Sequence, residues 1–159
     1  MTTGELGPEE LAAGTEAVVL AVQDPDAYFD QYLDEDQDGW LRDWSTSMAE
    51  VAATNAVVQA LCISDKADEL YEEISEAFSE PLPEPPEEFQ YLHEYMRFAD
   101  EAIQQRGPQP GGYELLEFAS SYGDDLQVLL VYRKDTPRVL ELGQQLQVKV
   151  ARLNLTGEY

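Results

Sequence analysis

Residues 1–105 carry 26 acidic side chains and three basic ones, Arg42, Lys66 and Arg97, whereas residues 106–159 carry seven acids and six bases. Carboxylates are almost never fully buried without a partner. The first two thirds can therefore fold only as segments that bury a narrow face and turn the remainder to water. Adaptation to high salt would spread the excess along the whole chain; the near balance of the last third assigns it to particular surfaces instead. The plainest reading of those surfaces is solvated helix faces that keep a small protein dispersed.

The same imbalance limits the partners. Against 33 Asp and Glu the chain has 9 Lys and Arg, a formal net charge of −24. Contacts to nucleic-acid phosphates ask for bases, as does a polybasic membrane anchor, and nine are too few for either. The 159 residues, 43% of them hydrophobic, suffice for one domain spanning 1–159. The single cysteine, Cys62, excludes an intrachain disulfide. The opening MTTGELGPEE has no basic stretch followed by an apolar one, and the longest clearly apolar run, 17–22, falls far short of the ~20 residues of a membrane span. The expectation is a cytoplasmic protein with no membrane contact.

Periodicity divides the chain into an acidic helical part, 1–106, and a β-β-α-β part, 112–153. Pro8, Glu9 and Glu10 suit a helix start over 8–22, with Leu11, Val18, Val19 and Val22 as an imperfect stripe. Asp24, with Pro25 at the first helical position, opens a second helix that presents Tyr28, Phe29, Tyr32 and Leu33 and ends near Gly39. Ser47 and Glu50 form the S-x-x-E pattern of a capping box, predicting a helix to about Leu61 with Val51, Val58, Leu61 and Cys62 inward. Ser64 or Asp65 caps the next, where Ala67, Leu70, Tyr71, Ile74, Ala77 and Phe78 recur at helical spacing. Four prolines within the six residues 81–86 fit neither helix nor central strand and read as a stiff connector.

A long helix over 87–106 follows, ended by Gly107 and Pro108. It carries one apolar face from Phe89 to Ile103 and a second of Tyr91, Tyr95 and Phe98, so it is either central in the bundle, the favoured reading, or part of an interface. Beyond Gly112 the period becomes two. Strands run over 113–119 and 126–133, the second apolar on both faces and so central and covered on both sides. A short helix to about Gln144 and a last strand over 146–153 complete the chain. The fold class is α+β: about five N-terminal helices packed on a small, mostly antiparallel C-terminal sheet.

The sharpest local motif is Asp34-Glu35-Asp36-Gln37-Asp38-Gly39-Trp40-Leu41. Its alternating carboxylates and glycine match the front half of a calcium-binding EF-hand loop, with Asp34, Asp36, Asp38, Trp40 and Asp43 as ligands. The bidentate glutamate position is Ser45, and Arg42 stands where a further ligand belongs, so the pattern predicts millimolar affinity or none. An Asp/Gly-rich turn between helices is the competing reading. Calcium aside, no cofactor is implied. His93, the one histidine, sits mid-helix beside the apolar stripe, and Cys62 on the inward side of a helix end; both read as core residues. Trp40 and Trp44 likewise read as core plugs. No nucleophile, zinc, phosphate-loop or dinucleotide motif is present. Carboxylate pairs such as Glu72 and Glu76 leave a carboxylate-based hydrolase as the one enzymatic alternative, and no catalytic residue is assigned.

The order Asp24-Pro25-Asp26-Ala27-Tyr28, Trp40 and Trp44, Ser64-Asp65-Lys66 opening a helix, Gly112-Tyr113-Glu114-Leu115, and the strand 126–132 with its short helix resembles an uncharacterised bacterial family. Its members are small acidic α+β proteins, a domain of unknown function, and the resemblance spans roughly residues 24–153. It implies the same fold class and transfers no activity and no site residues.

The function these features favour is a non-enzymatic acidic interaction protein that docks a basic protein. Immunity proteins and inhibitors of basic nucleases work this way, in the strictest case by DNA mimicry. Candidate contacts are Asp34, Asp36, Asp38, Glu69, Glu72, Glu73, Glu76 and Glu80, with Trp40 and Tyr71 as aromatic anchors. Weak calcium binding through 34–43 is the alternative. A negative surface opposes self-association, so the expectation is a monomer or a weak dimer through the neutral edges 146–153 or 113–119.

Overall fold

Helices begin where side chains can take the orphan N–H groups of a first turn. In the computed structural model, which describes residues 8–43, 47–119 and 125–157, helix α1 (Pro8–Gln23) opens on its proline and α2 (Pro25–Tyr32) on Asp24, whose carboxylate accepts from Ala27 N at 3.1 Å. The expectations placed on Trp44, Ser45, the loop 120–124 and the side chains of Leu11 and Asp43 fall outside the described residues. Helix α2 does not run on to Gly39. Leu33 turns extended, and Asp34 caps a separate four-residue helix, α3 (Glu35–Asp38), followed by a 3₁₀ turn over Gly39–Asp43.

Helix α4 (Met48–Val57) has Ser47 Oγ accepting from Glu50 N at 3.2 Å, half of the expected capping box. The Glu50 carboxylate does not reach back to complete it. Instead it accepts from Lys149 N at 3.2 Å and ties this helix to the chain entering the last strand. The helix stops four residues before Leu61. After a 3₁₀ turn the chain extends into strand β1 (Leu61–Ser64), where the sequence predicts a helix end at Leu61 and Cys62 and no strand. A short apolar run such as Leu61-Cys62-Ile63 has no periodicity that separates the two states; an available partner strand decides.

Helix α5 (Ala67–Glu76) follows, but neither Ser64 nor Asp65 caps it: Ser64 ends β1 and accepts from Lys66 N at 3.2 Å, Lys66 stands at the cap position without a side-chain bond, and Ala77 and Phe78 lie past the helix end. Helix α6 (Leu92–Ile103) begins later than residue 87, because the Glu94 carboxylate takes the N–H groups of Gln90 and Tyr91 at 2.8 and 2.9 Å and sets the first turn there. Those two bonds hold the Glu94 carboxyl below its ordinary pKa. Strands β2 (Tyr113–Phe118) and β3 (Leu126–Tyr132), helix α7 (Thr136–Leu146) and strand β4 (Val150–Arg152) complete the order. The last strand is shorter than 146–153, since Leu146 closes α7 and Gln147 turns left-handed at φ 58°.

The architecture is α+β, with an antiparallel sheet in the order β1-β3-β2-β4. The C-terminal strands therefore take a partner from within the helical run. Strand β2 lies between β3 and β4, so residues 113–119 form no edge; β1 and β4 do. Strand β3 is covered on both faces. Leu129 and Val131 meet Val18, Tyr28, Val51 and Ala52 of α1, α2 and α4, while Val128 and Leu130 meet Leu70, Ile74, Met96 and Ile103 of α5 and α6. The sheet is thus the middle layer of three. Each fully buried Leu or Ile in these layers contributes roughly 1.5–3 kcal/mol relative to exposure.

The proline connector straps the second layer. Leu82 is buried and donates its N–H to Ser75 Oγ at 2.8 Å, Tyr71 Oη donates to the Pro83 carbonyl at 2.5 Å, and the Arg106 guanidinium donates to the carbonyls of Glu80 and Pro81. Just beyond, Phe89 packs edge-on against Tyr95 and Phe98, covering the second apolar face of α6. Gly112, at φ +59°, closes the turn into β2 where a Cβ would meet the carbonyls of Gln104 and Arg106.

One ionised cluster lies under α7. Glu114, buried on β2, accepts from Thr136 Oγ1 at 2.6 Å and Arg152 at 2.5 Å, with Arg133 at 3.3 Å and Arg133 in turn 2.9 Å from Asp100. Truncating the carboxylate leaves the buried Thr136 hydroxyl without its acceptor, while Arg133 keeps Asp100 and the Gly111 and Tyr113 carbonyls and Arg152 reaches water. Glu114→Ala is expected to lower unfolding stability by about 1–3 kcal/mol in urea titration. Arg152→Ala, whose side chain is half exposed and which leaves Glu114 two partners, is expected to cost about 1 kcal/mol or less.

Candidate functional site

The acidic motif winds into helix. Asp34 Oδ1 accepts from the N–H groups of Asp36 and Gln37 at 2.8 and 3.3 Å, and Asp38 Oδ2 accepts from Asp34 N at 2.9 Å. Side chains that would have to converge on a calcium ion instead fan around a helical turn. Among the described residues no group of three or more His, Cys, Asp or Glu is arranged to hold a metal ion. The cation of this corner is Arg42. Its guanidinium lies 3.2 Å from Glu35, 3.4 Å from Asp26 and 3.8 Å from Asp30, and stacks 3.8 Å from the centroid of the buried Phe29 ring. Asp26 and Asp30, one turn apart on α2, were not singled out in the sequence; their i, i+4 spacing with a single base downstream was the available signal.

Trp40 does not plug the core. It stands 47% exposed on the 3₁₀ turn directly after α3, and Tyr32 at the end of α2 is 45% exposed, stacked on Tyr28 with centroids 5.1 Å apart. Exposed rings of this size close in sequence to Asp34, Glu35 and Asp36 make this corner one place where aromatic and acidic groups meet at the surface; Tyr91, 60% exposed and close in sequence to Glu87 and Glu88, is another.

The second group of candidates lies on α5. Leu70, Tyr71 and Ile74 face inward, so Glu69, Glu72, Glu73 and Glu76 share the exposed side. Tyr71 is no anchor: it is 3% exposed, its hydroxyl is engaged by the proline connector, and burial raises its pKa. Two of the glutamates serve the fold. Glu73 Oε2 accepts from Ile63 N at 2.8 Å and Leu61 N donates to Val58 O, so edge strand β1 has two of its N–H groups already taken. Glu69 accepts from Lys66 at 2.5 Å and from Ser64 at 3.4 Å. Glu72, Glu76 and Glu80 remain as exposed carboxylates.

These candidates do not form one site. The α2–α3 corner is anchored by Tyr28, Leu33 and Leu41 in one core, and α5 by Leu70 and Ile74 in the other, on opposite faces of the sheet. What joins them is the disposition of the bases. Arg42, Lys66, Arg133, Arg138, Lys149 and Arg152 pair with acids of the chain, Arg97 and Arg106 donate to the carbonyls of Leu155 and Pro81, and Lys134 lies over the Tyr132 ring. All nine bases have internal partners, and among the described residues most of the surplus carboxylates are exposed.

His93 is half buried and stacks on Tyr91 with centroids 5.8 Å apart. Cys62 is buried on β1, not at a helix end, and burial together with the nearby Glu73 charge pushes its thiol up to about 12. No family model, no curated protein and no solved structure matches the chain. A free cysteine near its ordinary pKa of ~8.5 is partly thiolate at pH 8. Cys62 is expected instead to stay unreactive toward a disulfide reagent at pH 8 in the native protein and to react promptly in denaturant; rapid native labelling would contradict its placement.

Proposed function

We propose that this chain is a non-enzymatic interaction protein that docks a basic protein on the α2–α3 corner, in the manner of an immunity protein or inhibitor. The observation that carries the reading is the exposed Trp40 beside Asp34, Glu35 and Asp36. Binding hot spots pair an aromatic anchor with charge complementarity, and this corner supplies both. The pairing of six of the nine bases with acids of the chain supports it further, because it removes most of the positive charge that would repel a cationic partner.

The α5 stripe has acids without an exposed ring. It acts at longer range, raising the encounter rate with a cationic protein through the field it adds. Phosphate mimicry asks for two regular rows of charge on one face; acids divided between opposite layers do not favour it, and the docking reading does not need it. Nothing in the corner's geometry favours calcium or hydrolysis as a second reading.

Binding to an immobilised basic ribonuclease, measured across a salt series, tests the proposal. Affinity is expected to fall steeply with salt, and Trp40→Ala to cost about 2 kcal/mol, roughly thirtyfold, mainly in dissociation. Glu72→Gln with Glu76→Gln is expected to slow association while leaving dissociation nearly unchanged. Binding that ignores salt, or that survives Trp40→Ala intact, would sink the reading.

A further inference from the structure

One large apolar opening is lined by none of the acidic candidates. A groove of about 410 Å³ runs between α1 and α4 on one side and α7 on the other, floored by Phe118 and Leu129 of the sheet. Its origin is a mismatch of close packings. Gly14 lets α1 approach Ala56 of α4, where an added Cβ would lie 2.8 Å from the Ala56 Cβ, and Gly143 lets α7 settle against Val150 of β4 in the same way. Helices drawn toward separate partners leave the space between them unfilled, with Val19 and Leu142, 42% and 37% exposed, at its mouth.

The lining identifies the occupant. In a chain of which 26% is charged, no wall residue is ionisable, and Thr15 supplies the one polar side chain. Phe118 is the only ring, so the walls are aliphatic and offer no flat aromatic slot. A second copy of the chain is a poor fit, because a net charge of −24 drives two copies apart. The same field disfavours an anionic head group. Pockets of this size and lining take small ligands with an apolar body.

We propose that the groove binds an uncharged aliphatic chain, the tail of a fatty alcohol or a similar saturated lipid-like molecule. This site is independent of the acidic corner, so either can fail without the other. Titration with 1-decanol, followed by methyl resonances in solution NMR, is expected to shift Val19, Leu129 and Leu142 saturably. Decanoate at the same pH is expected to bind at least about tenfold more weakly at low salt, with the gap narrowing as salt screens the field.

Ala53→Leu, which grows a side chain from α4 into the groove, is expected to weaken decanol binding by about tenfold or more. If that variant does not fold, Leu142→Gln at the exposed mouth is expected to weaken binding in the same direction. The proposal is overturned by methyl shifts that do not saturate, by decanoate binding as tightly as decanol at low salt, or by variants that leave decanol affinity unchanged. It is also overturned if the groove resonances move with protein concentration while sedimentation reports a doubled mass, which would assign the groove to a second copy.

Discussion

Strand β3 carries apolar side chains on both faces, and neither face can be left in water. Val128 and Leu130 need one cover and Leu129 and Val131 another, so the chain must deliver helices to both sides of the sheet. The rest follows from that demand. Residues 8–57 supply one layer, the chain then crosses through β1 at the sheet edge, and α5, the proline connector and α6 supply the other. The connector is stiff where it passes from one helix to the next, and its carbonyls take Tyr71 and Arg106. A segment that reads as a linker in one dimension is a clamp in three.

Charge adapts to this arrangement rather than creating it. With acids outnumbering bases so heavily, a randomly placed guanidinium would find a carboxylate anywhere. The structure nevertheless uses its bases where they join elements distant in sequence: Arg42 gathers α2 and α3, Arg133 links β3 to α6 and β2, and Arg152 links β4 to β2. Exposed pairs such as Lys66 with Glu69 add little to stability. The Glu114 cluster is the exception, because its carboxylate and the Thr136 hydroxyl are buried and depend on each other and on the two arginines for partners. Among the described residues the exposed acids outnumber the exposed bases, which is the property the proposed docking role depends on.

Much of the fold was legible because its signals are local. Asp24 and Ser47 cap helices at the positions their side chains indicate, and the spacing of Leu70, Tyr71 and Ile74 marks the buried face of α5. The errors sit where local chemistry is indifferent. Leu61-Cys62-Ile63 satisfies helix and strand equally, and the open register beside β3 chose strand. The acidic motif at Asp34 had the composition of a calcium loop, but an aspartate that can cap a helix N-terminus does so when the following residues tolerate helix. For the candidate site, residue type was readable and exposure only in part: Tyr71 is buried as its helical spacing indicates and so cannot be an anchor, whereas Trp40, read also as a core plug, is exposed, since burial depends on which layer lies above a residue.

By itself, then, the amino-acid order determined the fold class, the amphipathic faces, the central and two-sided character of β3 and the sign of the surface, because each depends on periodicity, dihedral preference or net charge within a short window. Tertiary structure alone decided that β1 completes the sheet, that two groups of acids stand back to back, that every base is engaged internally, and that a neutral groove remains between α1, α4 and α7. These are contacts between segments tens of residues apart, and their energies exist only once the layers have met.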